Sequence, residues 1–142
     1  MTVIMKAKDV ADQIYGSIRE RVDELKKNGL HPQIATILIE GDSASAYYAQ
    51  AKKRIADKLG VSFQFYSFAA DVTEKQIRET ISRLNNDPRV QGIMLELPLP
   101  KHISASSIVK EILPAKDIDG VTPFNKQATI TGDIGLMLDS KV

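Results

Sequence analysis

The sequence predicts an α/β fold, with a mainly parallel sheet covered by helices on both faces in three layers. Three observations predict it. Helical and strand-like stretches alternate in the order helix, strand, helix, strand, helix, strand, helix. Two of the strand-like stretches, Ile34 to Ile39 and Val90 to Leu95, are mostly apolar runs of the kind found where both faces of a strand are covered. The intervening stretches are long enough for the right-handed crossovers that parallel strands require.

Each element has its own signal. Asp9 reads as an N-cap, and Val10, Ile14, Ile18, Val22 and Leu25 follow at spacings of four and three until Gly29 closes the helix. Ile34 to Ile39 is the first strand. Gly41-Asp42-Ser43-Ala44 reads as a turn, and Ser45 as the cap of a helix that carries Tyr48 and Lys52 and ends at Gly60. Val61 to Phe68 is the second strand. Thr73-Glu74-Lys75-Gln76 is a capping box, opening a helix through Ile77, Ile81 and Leu84 that ends near Asn86-Asp87-Pro88. Val90 to Leu95 is the third strand, and Ser104 to Leu113 a short helix stopped by Pro114. From Thr122 the pattern fades, with a turn at Thr131-Gly132-Asp133 and a helix start at Ile134 to Leu138.

Such a sheet brings three distant segments to its carboxyl edge: Gly41 to Ser45, Glu96 to Pro100, and Lys116 to Gly120. That edge is where open α/β sheets build their sites.

Composition narrows the function. The 142 residues make one domain by length, and 19 basic against 18 acidic side chains leave a net charge of +1. Nothing in that balance draws the chain to nucleic acid or to a membrane surface. The absence of cysteine excludes disulfides, thiolate metal sites and a Cys nucleophile, and His31 and His102 form no ligand-spaced cluster. No metal site is expected. The start, Met1 to Lys6, is too quickly interrupted by charge for a signal peptide, and no apolar run approaches membrane-spanning length. A cytoplasmic protein is the default expectation.

Five residues at the sheet edge are candidates to carry chemistry. Tyr48 and Lys52, four apart on one helix face, combine a phenol with a titratable amine. Lys52 reads either as a surface lysine beside Lys53 and Arg54 or as an amine in a cleft; Tyr48 as a half-buried core residue or as a ring offered to a flat ligand. Glu96 interrupts an apolar strand end, where a carboxylate either reaches solvent or needs a partner. Asp117 and Asp119 sit on a glycine-containing turn, which by itself needs no function. The glycine-rich signatures of dinucleotide and nucleoside-triphosphate sites are missing, as are the arrangements of serine hydrolases.

Read together, Gly41-Asp42, Ser45-x-x-Tyr48-x-x-x-Lys52, the run Gly92 to Ile103 with its Leu97-Pro98-Leu99-Pro100, Lys116-Asp117-Ile118-Asp119-Gly120 and Pro123-Phe124-Asn125 resemble the N-terminal catalytic domain of bifunctional methylenetetrahydrofolate dehydrogenase/methenyltetrahydrofolate cyclohydrolases. The resemblance implies a folate site. Lys52 would act on the one-carbon unit, Tyr48 would stack on the folate and steady Lys52, and Asp119 would accept hydrogen bonds from the pterin's amino-pyrimidine edge. Ser45, Leu97 and Pro98 would join the substrate contacts, and Glu96 would belong to the catalytic group.

The resemblance also implies a division at 122, with residues 1–122 forming the folate domain and 123–142 leading toward a cofactor domain. NADP is the expected cofactor of the full-length family, and no residue of this chain is expected to bind it. A homodimer or association with a separate cofactor domain is expected.

Two departures stand out. The family usually has glutamine where this chain has Glu96, and an anion beside Lys52 favours its ammonium form, which implies weakened hydrolysis. Family members also run to about twice this length. A non-catalytic folate-binding or subunit-interaction module is the alternative reading. A short-chain dehydrogenase, which also uses Tyr and Lys at this spacing, lacks support because its glycine-rich nucleotide turn is missing.

Overall fold

The computed structural model describes residues 7–132. The stretch Met1 to Lys6 and the helix start at Ile134 to Leu138 lie outside them, as does Asp133 of the last turn. Three strands, β1 (Gln33–Ile39), β2 (Ser62–Phe68) and β3 (Gly92–Leu95), form a wholly parallel sheet in the order β2-β1-β3. The register sets Ile34 against both Phe63 and Gly92, and Ile37 against Tyr66 and Leu95. An α/β sheet is therefore present, as the alternation of elements predicts.

Side-chain alternation along β1 assigns the two faces. Ala35, Ile37 and Ile39 point into a core completed by Ile77, Ile81 and Leu84 of α3 (Glu74–Asn86), Ile93 and Leu95 of β3, and Ile108 of α4 (Ala105–Ile108). On the opposite face, Ala56 of α2 (Ser43–Leu59) packs with Phe63 and Met94, flanked by Ile34, Val61 and Phe65. Helix α1 (Ala7–Lys27) lies against α2 rather than the sheet.

Several boundaries differ from the expectation, each for a local reason. Asp9 is not the cap of α1 but sits in its first turn, where its carboxylate still complements the helix dipole. Helix α2 is capped by Asp42, not Ser45: the Asp42 carboxylate accepts from the Ala44 amide at 3.0 Å. Strand β3 starts at Gly92 because the Val90 amide is taken by the Asp87 carbonyl in the preceding turn. The helix expected over Ser104 to Leu113 is only α4, capped by Ser104 and followed by 3₁₀ turns at Val109–Glu111 and Pro114–Lys116. Where the pattern fades, α5 (Pro123–Thr131) begins; Thr122 accepts from the Asn125 amide as its cap, and Pro123 opens it.

Candidate active site

The geometry begins at a glycine. Gly41 has φ of 123°, backbone space that L side chains rarely enter, and this bend leaves Asp42 extended and able to cap α2. Ser45 then falls in the first turn of α2, buried, with its hydroxyl 2.9 Å from both the Asp42 carboxylate and the Leu97 carbonyl. One hydroxyl proton serves one acceptor at a time, so Ser45 tethers α2 to the segment after β3 through either.

Tyr48 and Lys52 follow on the same face of α2, at spacings of three and seven from Ser45. Lys52 reaches across to Glu96, its Nζ 3.0 Å from each carboxylate oxygen. Glu96 is held in place by its own backbone, whose amide donates to the Ile37 carbonyl at 2.9 Å and so extends the β1–β3 ladder by one residue. Glu96 is 6% exposed, and the Lys52 side chain 39%. A carboxylate so buried is tolerated because the ammonium ion neutralises it. Glu96 therefore does not reach into solvent.

Tyr48 is not a core residue. It is 63% exposed, its ring set edge-on to Tyr47 with centroids 5.9 Å apart. Leu97 and Pro98, joined by a cis peptide, are exposed just after β3. Asp119 faces the same region from the third segment. Its carboxyl lies above the ordinary aspartate range because the surrounding protein costs it hydration and Glu96 and Asp117 repel its charge, with Lys52 opposing the rise. The structure thus brings Ser45, Tyr48, Lys52, Glu96, Leu97, Pro98 and Asp119 to the carboxyl edge of the sheet.

Under Asp119 lies a network that sequence reasoning missed. The Asp117 carboxylate, buried, accepts from the amides of Val121 (3.1 Å) and Thr122 (2.8 Å) and from Asn125 Nδ2 (2.9 Å). Asn125 Nδ2 also donates to the Pro114 carbonyl at 2.9 Å. The signal for it was the Thr122-Pro123 pair, a cap followed by an N1 proline, which places Asn125 in the first turn of a helix.

Among the described residues, no group of three or more His, Asp or Glu side chains is placed to hold a metal, and no helix is long and apolar enough to cross a membrane. The turns that open α2 and α3 also have a first-turn amide, of the kind a pyrophosphate uses, claimed by their own cap. The Ala44 amide is claimed by an anion, Asp42, and the Gln76 amide by the Thr73 hydroxyl.

Known proteins resemble the chain in sequence and in fold. Bifunctional protein FolD 2 of Desulfitobacterium hafniense is 38% identical over 136 residues, covering 96% of this chain and 48% of its own length. Bifunctional protein FolD of Heliobacterium modesticaldum is 41% identical over 130 residues, covering 92% and 45%. The crystal structure of the FolD methylenetetrahydrofolate dehydrogenase/cyclohydrolase of Campylobacter jejuni superposes with a TM-score of 0.83 at 31% identity, over 94% of this chain and 45% of that one. A Trypanosoma brucei FolD, solved with NADP and an inhibitor, gives the same TM-score at 28% identity, over 89% of this chain and 43% of that one. The chain thus spans about half the length of the relatives it matches. Residues 5–119 match the model of the tetrahydrofolate dehydrogenase/cyclohydrolase catalytic domain, and the chain belongs to that family.

Proposed function

We propose that these residues are the folate-binding catalytic part of a 5,10-methylenetetrahydrofolate dehydrogenase/5,10-methenyltetrahydrofolate cyclohydrolase. The observation that carries the reading is the convergence of Tyr48, Lys52 and Asp119 at the carboxyl edge of the sheet, with Lys52 Nζ 3.0 Å from the buried Glu96 carboxylate and Tyr48 and Asp119 exposed. Tyr48, exposed and set edge-on to Tyr47, offers a ring face for the pterin or benzoyl ring. Asp119 supplies an acceptor-only carboxylate for the adjacent N–H donors of the amino-pyrimidine edge. Ser45, Leu97 and Pro98 shape the wall between them. Lys52 stands over the one-carbon unit.

In this reading the redox half uses NADP carried outside these 142 residues, on a separate domain or a partner subunit; the half-length coverage of the relatives supports this. The hydrolytic half needs no nicotinamide. Water adds to the methenyl carbon of 5,10-methenyltetrahydrofolate, the bond to N5 breaks, and 10-formyltetrahydrofolate is released with a proton. A lysine that takes that proton must present a lone pair, and an ammonium ion facing two carboxylate oxygens has none to present. Glu96 therefore restrains hydrolysis more than substrate binding. The same ion pair favours the second reading, a folate-binding module with little turnover.

Titration of the 142-residue chain with tetrahydrofolate tests the site. Saturable binding is expected, weakened about tenfold or more in Asp119→Ala, the loss of a charge-assisted hydrogen bond. No saturable binding would overturn both readings, and hydrolysis of 5,10-methenyltetrahydrofolate above the uncatalysed rate separates the first from the second.

A further inference from the structure

Asp119 makes no hydrogen bond to the described residues, yet the backbone on either side of it is fixed at several points. The Asp117 carboxylate bonds the amides of Val121 and Thr122, so it closes a loop with Ile118, Asp119 and Gly120 at its apex. Asp117 also forms a parallel bridge with Ile93, which continues the sheet past β3. Asn125 Nδ2 joins the Asp117 carboxylate to the Pro114 carbonyl, tying the two ends of the segment together, and Asn125 is 1% exposed. Before the loop, Lys116 Nζ donates to the carbonyls of Leu84 and Asp87 at 2.8 Å each, anchoring the segment to the last turn of α3. Ile118 seats its side chain over Gly92 so closely that a Cβ there would stand 2.7 Å from Ile118 Cγ2.

These contacts are more than a surface turn needs. A glycine-containing turn persists with one or two hydrogen bonds and tolerates movement. Here a buried carboxylate, a buried carboxamide and a lysine are all spent on one short segment, and the group they surround is an unbonded, exposed carboxylate. A hydrogen bond to a ligand's N–H pair demands that carboxylate within a few tenths of an ångström of its place.

We propose that Asp117, Asn125 and Lys116 are positioning residues for Asp119, holding its carboxylate in place for the amino-pyrimidine edge of the folate. The inference rests on the folate reading above. Asp117 sets the loop's height over β3, Asn125 locks Asp117 against the 3₁₀ turn at Pro114, and Lys116 prevents the segment from sliding along α3.

A double-mutant cycle on the 142-residue chain tests it, with tetrahydrofolate affinity as the readout and thermal melting recorded alongside. Asn125→Ala is expected to weaken tetrahydrofolate about tenfold when Asp119 is present, and by less than about twofold further when Asp119 is already Ala. Should Asn125→Ala not fold, Lys116→Met removes the strut while keeping the side-chain stem, and the same non-additivity is expected of it. An equal loss in both Asp119 backgrounds would show a general structural effect and overturn the proposal. If Asp119→Ala alone leaves tetrahydrofolate binding unchanged, the folate role of Asp119 fails instead, and the positioning role with it.

Discussion

On the face of the sheet covered by α3 and α4, the buried apolar side chains form one cluster from Ala35 to Ile112, in which Ile37, Ile77, Ile81, Ile93 and Ile108 have no solvent exposure. On the α2 face the buried cluster among the described residues is Ala56, Phe63 and Met94. Beyond it α1 keeps Val22 buried but leaves Val10 and Ile14 at 42% and 52% exposure, and a cleft between α1 and α2 is lined by Asp12, Tyr15, Arg19, Ile55, Lys58 and Leu59. The first face is a closed core that fixes the strands. The second is a thin layer with apolar residues still facing water. The site stands at the junction: Lys52 comes from the thin side, while Glu96 and Asp119 are set by β3 and by the turn stapled to the closed side.

The largest effect should therefore lie in the core. Ile81→Ala is expected to cost about 2–5 kcal/mol in urea unfolding, the loss of buried methylenes plus the cavity left behind. Ile14→Ala, at a half-exposed position, should cost less than about 0.5 kcal/mol. Comparable losses at both positions would show that the apolar stripe of α1 is covered in solution, and the contrast between the faces would break.

Next come two aspartates on one turn, which the structure treats oppositely. Burial alone would raise the Asp117 carboxyl, but the amides of Thr122 and Val121 and the Thr122 and Asn125 side chains hold it below the ordinary range. A lowered folded value means that Asp117 stabilises the fold above the unfolded value of about 3.9, and that this stability is lost as pH falls through the lower folded value. Asp117→Asn should cost about 1–3 kcal/mol at neutral pH, and its stability should fall less steeply in acid, as read by denaturant unfolding at a series of pH values.

Asp119 shifts the other way, and the effect is smaller and seen in binding. Because its carboxyl lies above the ordinary range, tetrahydrofolate affinity should begin to fall at a higher pH than an unperturbed aspartate would give. The comparison with Asp119→Asn isolates this, since the ligand's own titration is common to both chains. Parallel pH profiles for the two would remove Asp119 from the ligand contact.

Much of the architecture is written in the residue pattern. The β-branched run Ile34 to Ile39 and the capping box at Thr73 and Gln76 each specify an element locally, and both are found where the pattern puts them. A carboxylate at an apolar strand end called for a partner or for solvent, and it was the family resemblance, not the pattern, that put Lys52 beside Glu96. What the pattern did not reveal depends on contacts between segments. Ser45 looked like a cap because serine caps well, but the conformation of Gly41 gave that place to Asp42 and turned Ser45 toward Leu97. The apolar spacing of α1 implied a buried face, yet how much of it is covered depends on what packs there. Asn125 was legible only as part of the Pro123-Phe124-Asn125 match, not in its role, which exists because the chain returns Asp117 and Pro114 to it.

On the proposed reading, the buried Glu96 carboxylate, 3.0 Å from Lys52 Nζ, occupies the lysine and restrains hydrolysis while leaving the folate site in place. The most direct measurement is the rate of 5,10-methenyltetrahydrofolate hydrolysis against pH, without nicotinamide, for the wild-type chain and for Glu96→Gln. The glutamine variant is expected to hydrolyse about tenfold faster near neutral pH. Equal rates there would contradict it.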